Sequence, residues 1–120
     1  GSAPVDASVL ILRRFYMNID QINKIARLND VFRMQGSSAN LTKGVYELDS
    51  WMSLLLAVRN YDNFNEDNDP YGEHDFGTLD WYGRKIFWKI DYYDERLEKW
   101  CDPLSPDCHR VLTVMLAEEY

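Results

Sequence analysis

The hydrophobic positions of this chain follow two rhythms, one helical and one extended. From Ile19 onward, Ile22, Ile25, Leu28 or Asn29, and Phe32 recur on one side of a helix, while Lys24, Arg27 and Arg33 fall elsewhere. Asn18 or Asp20 can cap its start, and Gly36 supplies a left-handed stop. Trp51, Met52, Leu54, Leu55, Leu56, Ala57 and Val58 form a second run that is apolar at almost every position. Asp49 or Ser50 opens it, and it is expected to end near Tyr61 to Phe64. A helix so uniformly apolar is expected to be the central, buried one. Further on the period changes to two. Ile86, Trp88, Ile90 and Tyr92 alternate with Phe87, Lys89, Asp91 and Tyr93, so Arg84 to Tyr93 reads as a strand. It pairs with Phe76 to Trp81 across a turn at Tyr82-Gly83. Val111, Thr113, Val114 and Leu116 predict a third strand over Arg110 to Ala117.

The remaining segments are less regular. Residues 1 to 8 read as a tail, and Val9 to Met17 as either a short strand or the opening of the first helix. Asn40 to Tyr46 is a short strand or an extended connector broken at Gly44. Asn63 to Asp75 is a polar loop, and Asp94 to His109 a long connection through Pro103 and Pro106 with a helical turn expected around Glu95 to Trp100. The pattern predicts an α+β fold: an antiparallel sheet of three to four strands with two helices packed on one face. Residues 19–120 form a single domain, and residues 1–18 a tail with room for one extra element. The uncovered face of the sheet would carry aromatics and offer a working surface.

Charge sharpens this picture. The net charge is −7, and it is uneven: residues 1–46 are net basic, while the rest hold most of the acids. An acidic domain repels a nucleic-acid backbone, so direct DNA or RNA binding is disfavoured. No apolar stretch approaches the roughly 20 residues of a membrane-spanning helix. Val9 to Leu12 is followed, not preceded, by Arg13-Arg14, which does not fit a secretory leader. Cys101 and Cys108 are therefore expected as reduced thiols in a cytoplasmic protein.

Between Asn60 and Gly83 lie Asp62, Glu66, Asp67, Asp69, Glu73, Asp75 and Asp80, with no Lys or Arg and only His74 to answer them. Turn chemistry alone accounts for many such residues. EF-hand spacing is absent, which disfavours calcium. His74 between carboxylates could act as a general base. Its sequence neighbours point away from it on an extended chain, so the orienting acid would come from elsewhere, such as Asp69 or Asp91. The catalytic candidates are His74, Asp69, Lys89 and Asp91; the plainer alternative has His74 bonded to loop backbone. Cys101, Cys108 and His109, with His74, do not have standard zinc spacing, and neither metal nor cofactor is expected. No serine-nucleophile motif, phosphate-cradling loop or zinc-protease helix motif occurs, so the chain is read first as a non-enzyme. Tyr61, Phe64, Tyr71, Phe76, Trp81, Tyr82, Phe87, Trp88, Tyr92, Tyr93 and Trp100 are interleaved with the acids. Aromatics among carboxylates suit a protein partner with a basic surface. Asp67, Asp69, Tyr71, Glu73 and Asp75 are the partner-binding candidates.

Two stretches, Asp67 to Gly77 (DNDPYGEHDFG) and Ile86 to Asp94 (IFWKIDYYD), resemble an uncharacterised bacterial family, the domain-of-unknown-function family three-seven-six-eight. Arg27-Leu28-Asn29-Asp30 with Arg33, and Arg110 to Tyr120, extend the resemblance from about Ile22 to the end. It implies a protein of proteobacterial chromosomes, plasmids and integrated mobile elements with no assigned activity, and it does not include the cysteines. Together with the charge, it leads to the expectation of a small acidic protein-interaction module. Such a module would be a mobile-element inhibitor of a nucleic-acid-handling host defence complex, of the anti-restriction or anti-CRISPR type. The alternative is a small-ligand binder or enzyme built on the His/carboxylate cluster, and a third account makes the loop purely structural.

Overall fold

A computed structural model describes residues 17–36 and 38–120. Of the segment Val9 to Met17, only Met17 falls among them. Helix α1 spans Ile19–Gln35. The Asn18 side chain accepts from Gln21 N at 2.9 Å, and the Gln21 side chain accepts from Asn18 N at 3.0 Å, a reciprocal cap. Gly36, at φ 64°, closes the helix, and the Arg59 guanidinium occupies the space a Cβ would need there. The buried stripe of α1 is Ile25, Ala26, Asn29 and Arg33. Asn29 and not Leu28 takes the inward position, and the inward turn ends on a cation.

The stretch from Asn40 divides into strand β1, Asn40–Leu41, and helix α2, Lys43–Tyr46. Gly44 lies inside α2 and does not break it. Leu116 Cδ1 stands 2.5 Å from where its Cβ would be, so the helix and the chain end approach more closely than a side chain would allow. Helix α3, Trp51–Arg59, is shorter than its apolar run predicts. It is not the buried central helix either: Leu54 and Val58 are fully buried, but Met52 and Leu56 are 69% and 61% exposed. Nine residues lying on a sheet bury one stripe, however apolar the others are.

Strands β2 (Phe76–Trp81), β3 (Arg84–Tyr93) and β4 (His109–Leu116) follow, with a 3₁₀ turn at Ala117–Glu119. The sheet order is β1-β4-β3-β2. β2, β3 and β4 are antiparallel neighbours, while β1 runs parallel to β4, so the four-stranded sheet is mixed and not purely antiparallel. Together with the three helices among the described residues this makes an α+β fold. Ile86, Trp88, Ile90 and Tyr92 of β3 and Leu112, Val114 and Leu116 of β4 form one core with Ile25, Val45, Leu54 and Val58 of the helices. Gly77, opposite Trp88, leaves room for the indole to cross β2. The other face carries Phe76 and Phe87, edge-packed with Tyr120, and a Lys89–Asp91 ion pair at 3.0 Å. The turn expected at Glu95 to Trp100 is not helical. Leu97 adopts φ 58°, and the segment folds back so that Trp100 bridges Tyr93. Among the described residues no helix is long and apolar enough to cross a membrane.

Candidate functional site

The loop between α3 and β2 is built on its own polar side chains. Asn65 Oδ1 accepts from Asp67 N and Asn68 N, and the Asn68 amide donates to Asn63 O and to the Tyr61 hydroxyl. Asp69 turns inward, and its carboxylate accepts from His74 N at 3.2 and 3.3 Å. This closes a tight reversal through Gly72 (φ 72°) and His74 (φ 57°). A histidine in the left-handed region is uncommon, and such residues concentrate where the surroundings force a side chain into place.

The forced orientation delivers the His74 ring to α1. Its Nδ1 lies 3.0 Å from both carboxylate oxygens of Asp30. Asp30 can only accept, so Nδ1 carries the hydrogen and the Nε2 edge is left for other contacts. Nε2 stands 3.7 Å from Asp69 Oδ2. The imidazole thus sits between two carboxylates. One face is covered by Phe64, stacked at 3.8 Å with the rings within 1° of parallel. Burial raises the Asp69 carboxyl above its ordinary range, although the His74 backbone hydrogen bond and the imidazole both pull the other way.

Beneath the ring lies Arg33, 2% exposed. Its Nη1 donates to Asp30 at 3.1 Å and its Nη2 to the Tyr61 carbonyl at 3.0 Å. The guanidinium lies over Phe64 and Trp88, 5.3 and 5.0 Å from their ring centres. Its Nε is buried without an acceptor. Arg59 donates to the Arg33 carbonyl from the end of α3. Asp30, Arg33, Met34, Arg59, Phe64 and His74 line a cleft of about 370 Å³, with Asp62 at its rim. A second groove, about 560 Å³ beside β1, is lined by Tyr46, Trp51 and Leu55 and holds no charged side chain.

The sequence candidates are dispersed by the fold. His74 and Asp69 meet in the cluster just described. Lys89 and Asp91 pair with each other on the far face of the sheet, away from the side where Phe64 and His74 stack near Trp88. Glu73 is 3% exposed and belongs to a buried network: it accepts from the Tyr92 hydroxyl, and its carbonyl accepts from Asn29. Asp67 and Tyr71 are exposed and Asp75 is half-buried. Asp30, Arg33, Arg59 and Phe64 did not emerge from the sequence as site residues. Asp30 is 44 positions from His74, and no local spacing joins them. The sequence pattern places Arg33 off the apolar face of α1, whereas it lies on the buried stripe with Asn29, four positions earlier. Among the described residues no group of three or more His, Cys, Asp or Glu is arranged to hold a metal ion.

No curated protein and no solved structure matches the chain. A family model does, over residues 41–119. The match takes in Arg59, Phe64, Asp69 and His74, and it begins after α1, so Asp30 and Arg33 lie outside it and the resemblance expected from Ile22 is shown only from residue 41. Spanning well over half of the chain, that match makes this protein a member of the family described as Protein of unknown function (DUF3768).

Proposed function

We propose that the chain binds a small molecule in the cleft between α1, the end of α3 and the Asn60–Asp75 loop, with Asp30–His74–Asp69 as its proton-handling group. One observation carries this reading: His74, held in a left-handed backbone conformation, meets Asp30 at 3.0 Å where both line a cleft. An imidazole whose Nδ1–H is fixed by a carboxylate has a defined tautomer and orientation, as acid–base chemistry requires. The cleft, about 370 Å³, is near the lower end of ligand pockets, which favours a small metabolite over a nucleotide.

The test is a fragment and metabolite screen by amide NMR on the wild type and on His74→Asn. Asparagine tolerates the left-handed backbone, so the variant is expected to fold while losing the imidazole. Hits whose shifts map to Asp30, Phe64 and His74 and weaken in the variant support the reading. A folded wild type with no hit at these residues overturns it.

A second reading, the acidic interaction module that blocks a basic, nucleic-acid-handling host complex, is favoured by a different observation. Of the acids in residues 47–120, only Asp69 and Glu73 are buried, and Glu66 and Asp67 are among those exposed to a partner. Charge reversal at exposed Glu66 and Asp67, which leaves the buried network intact, is the appropriate variant for a pull-down. Retention of the same host proteins by wild type and variant would remove this reading.

A further inference from the structure

We infer that the chain self-associates as a two-fold dimer through the apolar face that α2 and α3 present beside β1, the partner being a second copy of the same chain. Trp51 and Leu55 of α3, one turn apart, line the groove of about 560 Å³ together with Tyr46 of α2 and with Ala39 and Leu41 at the edge of the sheet. The Tyr46 and Trp51 rings stack at 5.3 Å, 22° from parallel, and form one wall of it. Met52 and Leu56 make the next stripe round the helix, and they stand out from the surface, 69% and 61% exposed. A ridge therefore lies beside a groove on one surface. A two-fold axis makes that shape self-complementary: the ridge of one copy fills the groove of the other, and the exchange is mutual.

Charge and size select a copy of the chain as the occupant. Two copies of a chain of net charge −7 repel, so they meet where carboxylates are scarce. The residues that line the groove bear no charge, and neither does the ridge. Lys43 and Glu47 flank Tyr46 at the two ends of α2, 87% and 65% exposed, and approach each other only to 3.9 Å. Such a pair contributes little within one chain. Across a two-fold axis Lys43 meets Glu47 of the second copy and Glu47 meets its Lys43, so the same two residues give two opposite-charge contacts. A stable interface needs roughly 500 Å² from each partner. Tyr46, 62% exposed, with Met52, Leu56 and the half-buried Trp51 and Leu55, supplies apolar surface on that scale.

Sedimentation equilibrium of the whole chain up to about 1 mM, with the Trp51 indole NMR signal followed on dilution, tests the dimer. The wild type is expected to show a monomer–dimer equilibrium, and the Trp51 signal to move with it. Leu56→Lys, at an exposed position and checked for folding by its amide spectrum, is expected to weaken the dimer by more than about tenfold, because symmetry sets the substitution in the interface twice. Lys43→Glu and Glu47→Lys are each expected to weaken it too, and an equal mixture of the two to associate more tightly than either alone. A wild type that is monomeric throughout overturns the inference. So does a dimer that Leu56→Lys leaves unchanged, since it would use another face. Mixed charge variants that associate no better than each alone would overturn the two-fold arrangement. If the Trp51 signal ignores dilution and moves only with a fragment of the screen above, the groove takes a small ligand and self-association through it falls.

Discussion

At the scale of single residues, the chain places polar groups where apolar ones would pack more easily, and gives several of them specific partners. Asp69 is the clearest instance. Burial raises its carboxyl, and a folded-state value above the unfolded one means that Asp69 contributes stability below the ordinary aspartate range and loses it as pH rises through the raised value. An asparagine at this position can still accept from His74 N, the bond that closes the loop. Asp69→Asn is therefore expected to match or exceed the wild-type melting temperature at about pH 7, and to lose that advantage by about pH 3, where the wild-type carboxyl is neutral in both states. Thermal melts across this range decide it. A variant destabilised by more than about 1 kcal/mol at neutral pH would mean that His74 needs the charge of Asp69 and not merely its shape.

At the scale of elements, the end of the chain acts as a clasp for the shortest helix. The Glu119 carboxylate accepts from Thr42 Oγ1 at 2.6 Å, Gly44 N at 2.9 Å and Leu116 N at 2.9 Å, joining the start of α2 to the end of β4. What desolvation Glu119 suffers pushes its carboxyl up, but these hydrogen bonds and Arg84 outweigh it and hold the group below the ordinary range. Its contribution is present above the unfolded glutamate range and is lost as pH falls through the lowered value. Glu119→Gln is expected to cost about 0.5–1.5 kcal/mol near neutrality and nothing in strong acid; urea titrations at two pH values measure this. Equal cost at both would show that geometry and not charge makes the clasp. Such a bond joins residues 77 positions apart, which no pattern along the chain announces. The hairpin was legible because Ile86 to Tyr93 alternates faithfully, each inward residue meeting the core. Strand β1 is legible only as an alternative to an extended connector: two residues carry no periodicity, and its parallel pairing is set by β4. For α3, apolar content does not translate into depth, because the sheet has room for only one of its stripes.

At the scale of the whole molecule, α1 and the sheet are joined by a buried polar network. Asn29 Nδ2 donates to Glu73 O and to the Tyr92 hydroxyl, the Tyr92 hydroxyl donates to Glu73 Oε2, and Arg110 Nε donates to Asn29 Oδ1 at 2.6 Å. Burial, then Asp75 and Glu73, push the Tyr92 hydroxyl far above its ordinary range, so it remains a donor at any physiological pH. Tyr92→Phe is expected to cost about 1–3 kcal/mol, because it removes a donor from Glu73 and an acceptor from Asn29 without letting either return to water. A urea midpoint unchanged within error would show that the network is slack. The same arrangement explains what the sequence revealed of the candidate site. His74 stood out because it is the lone basic group in an acidic segment. Asp30 and Arg33 are brought to it by how α1 docks, and docking is a property of the assembled core.

The sheet order has a consequence for how this domain comes into being. β4 lies between β1 and β3, yet it follows both in sequence order. During synthesis the β2–β3 hairpin can form early, but β1 has no neighbour until β4 emerges, and the Glu119 clasp waits longer still. The nascent protein must therefore keep the edge of β3 that pairs with β4 exposed until β4 is made. Loss of residues 109–120 would remove an inner strand of the sheet, not its margin.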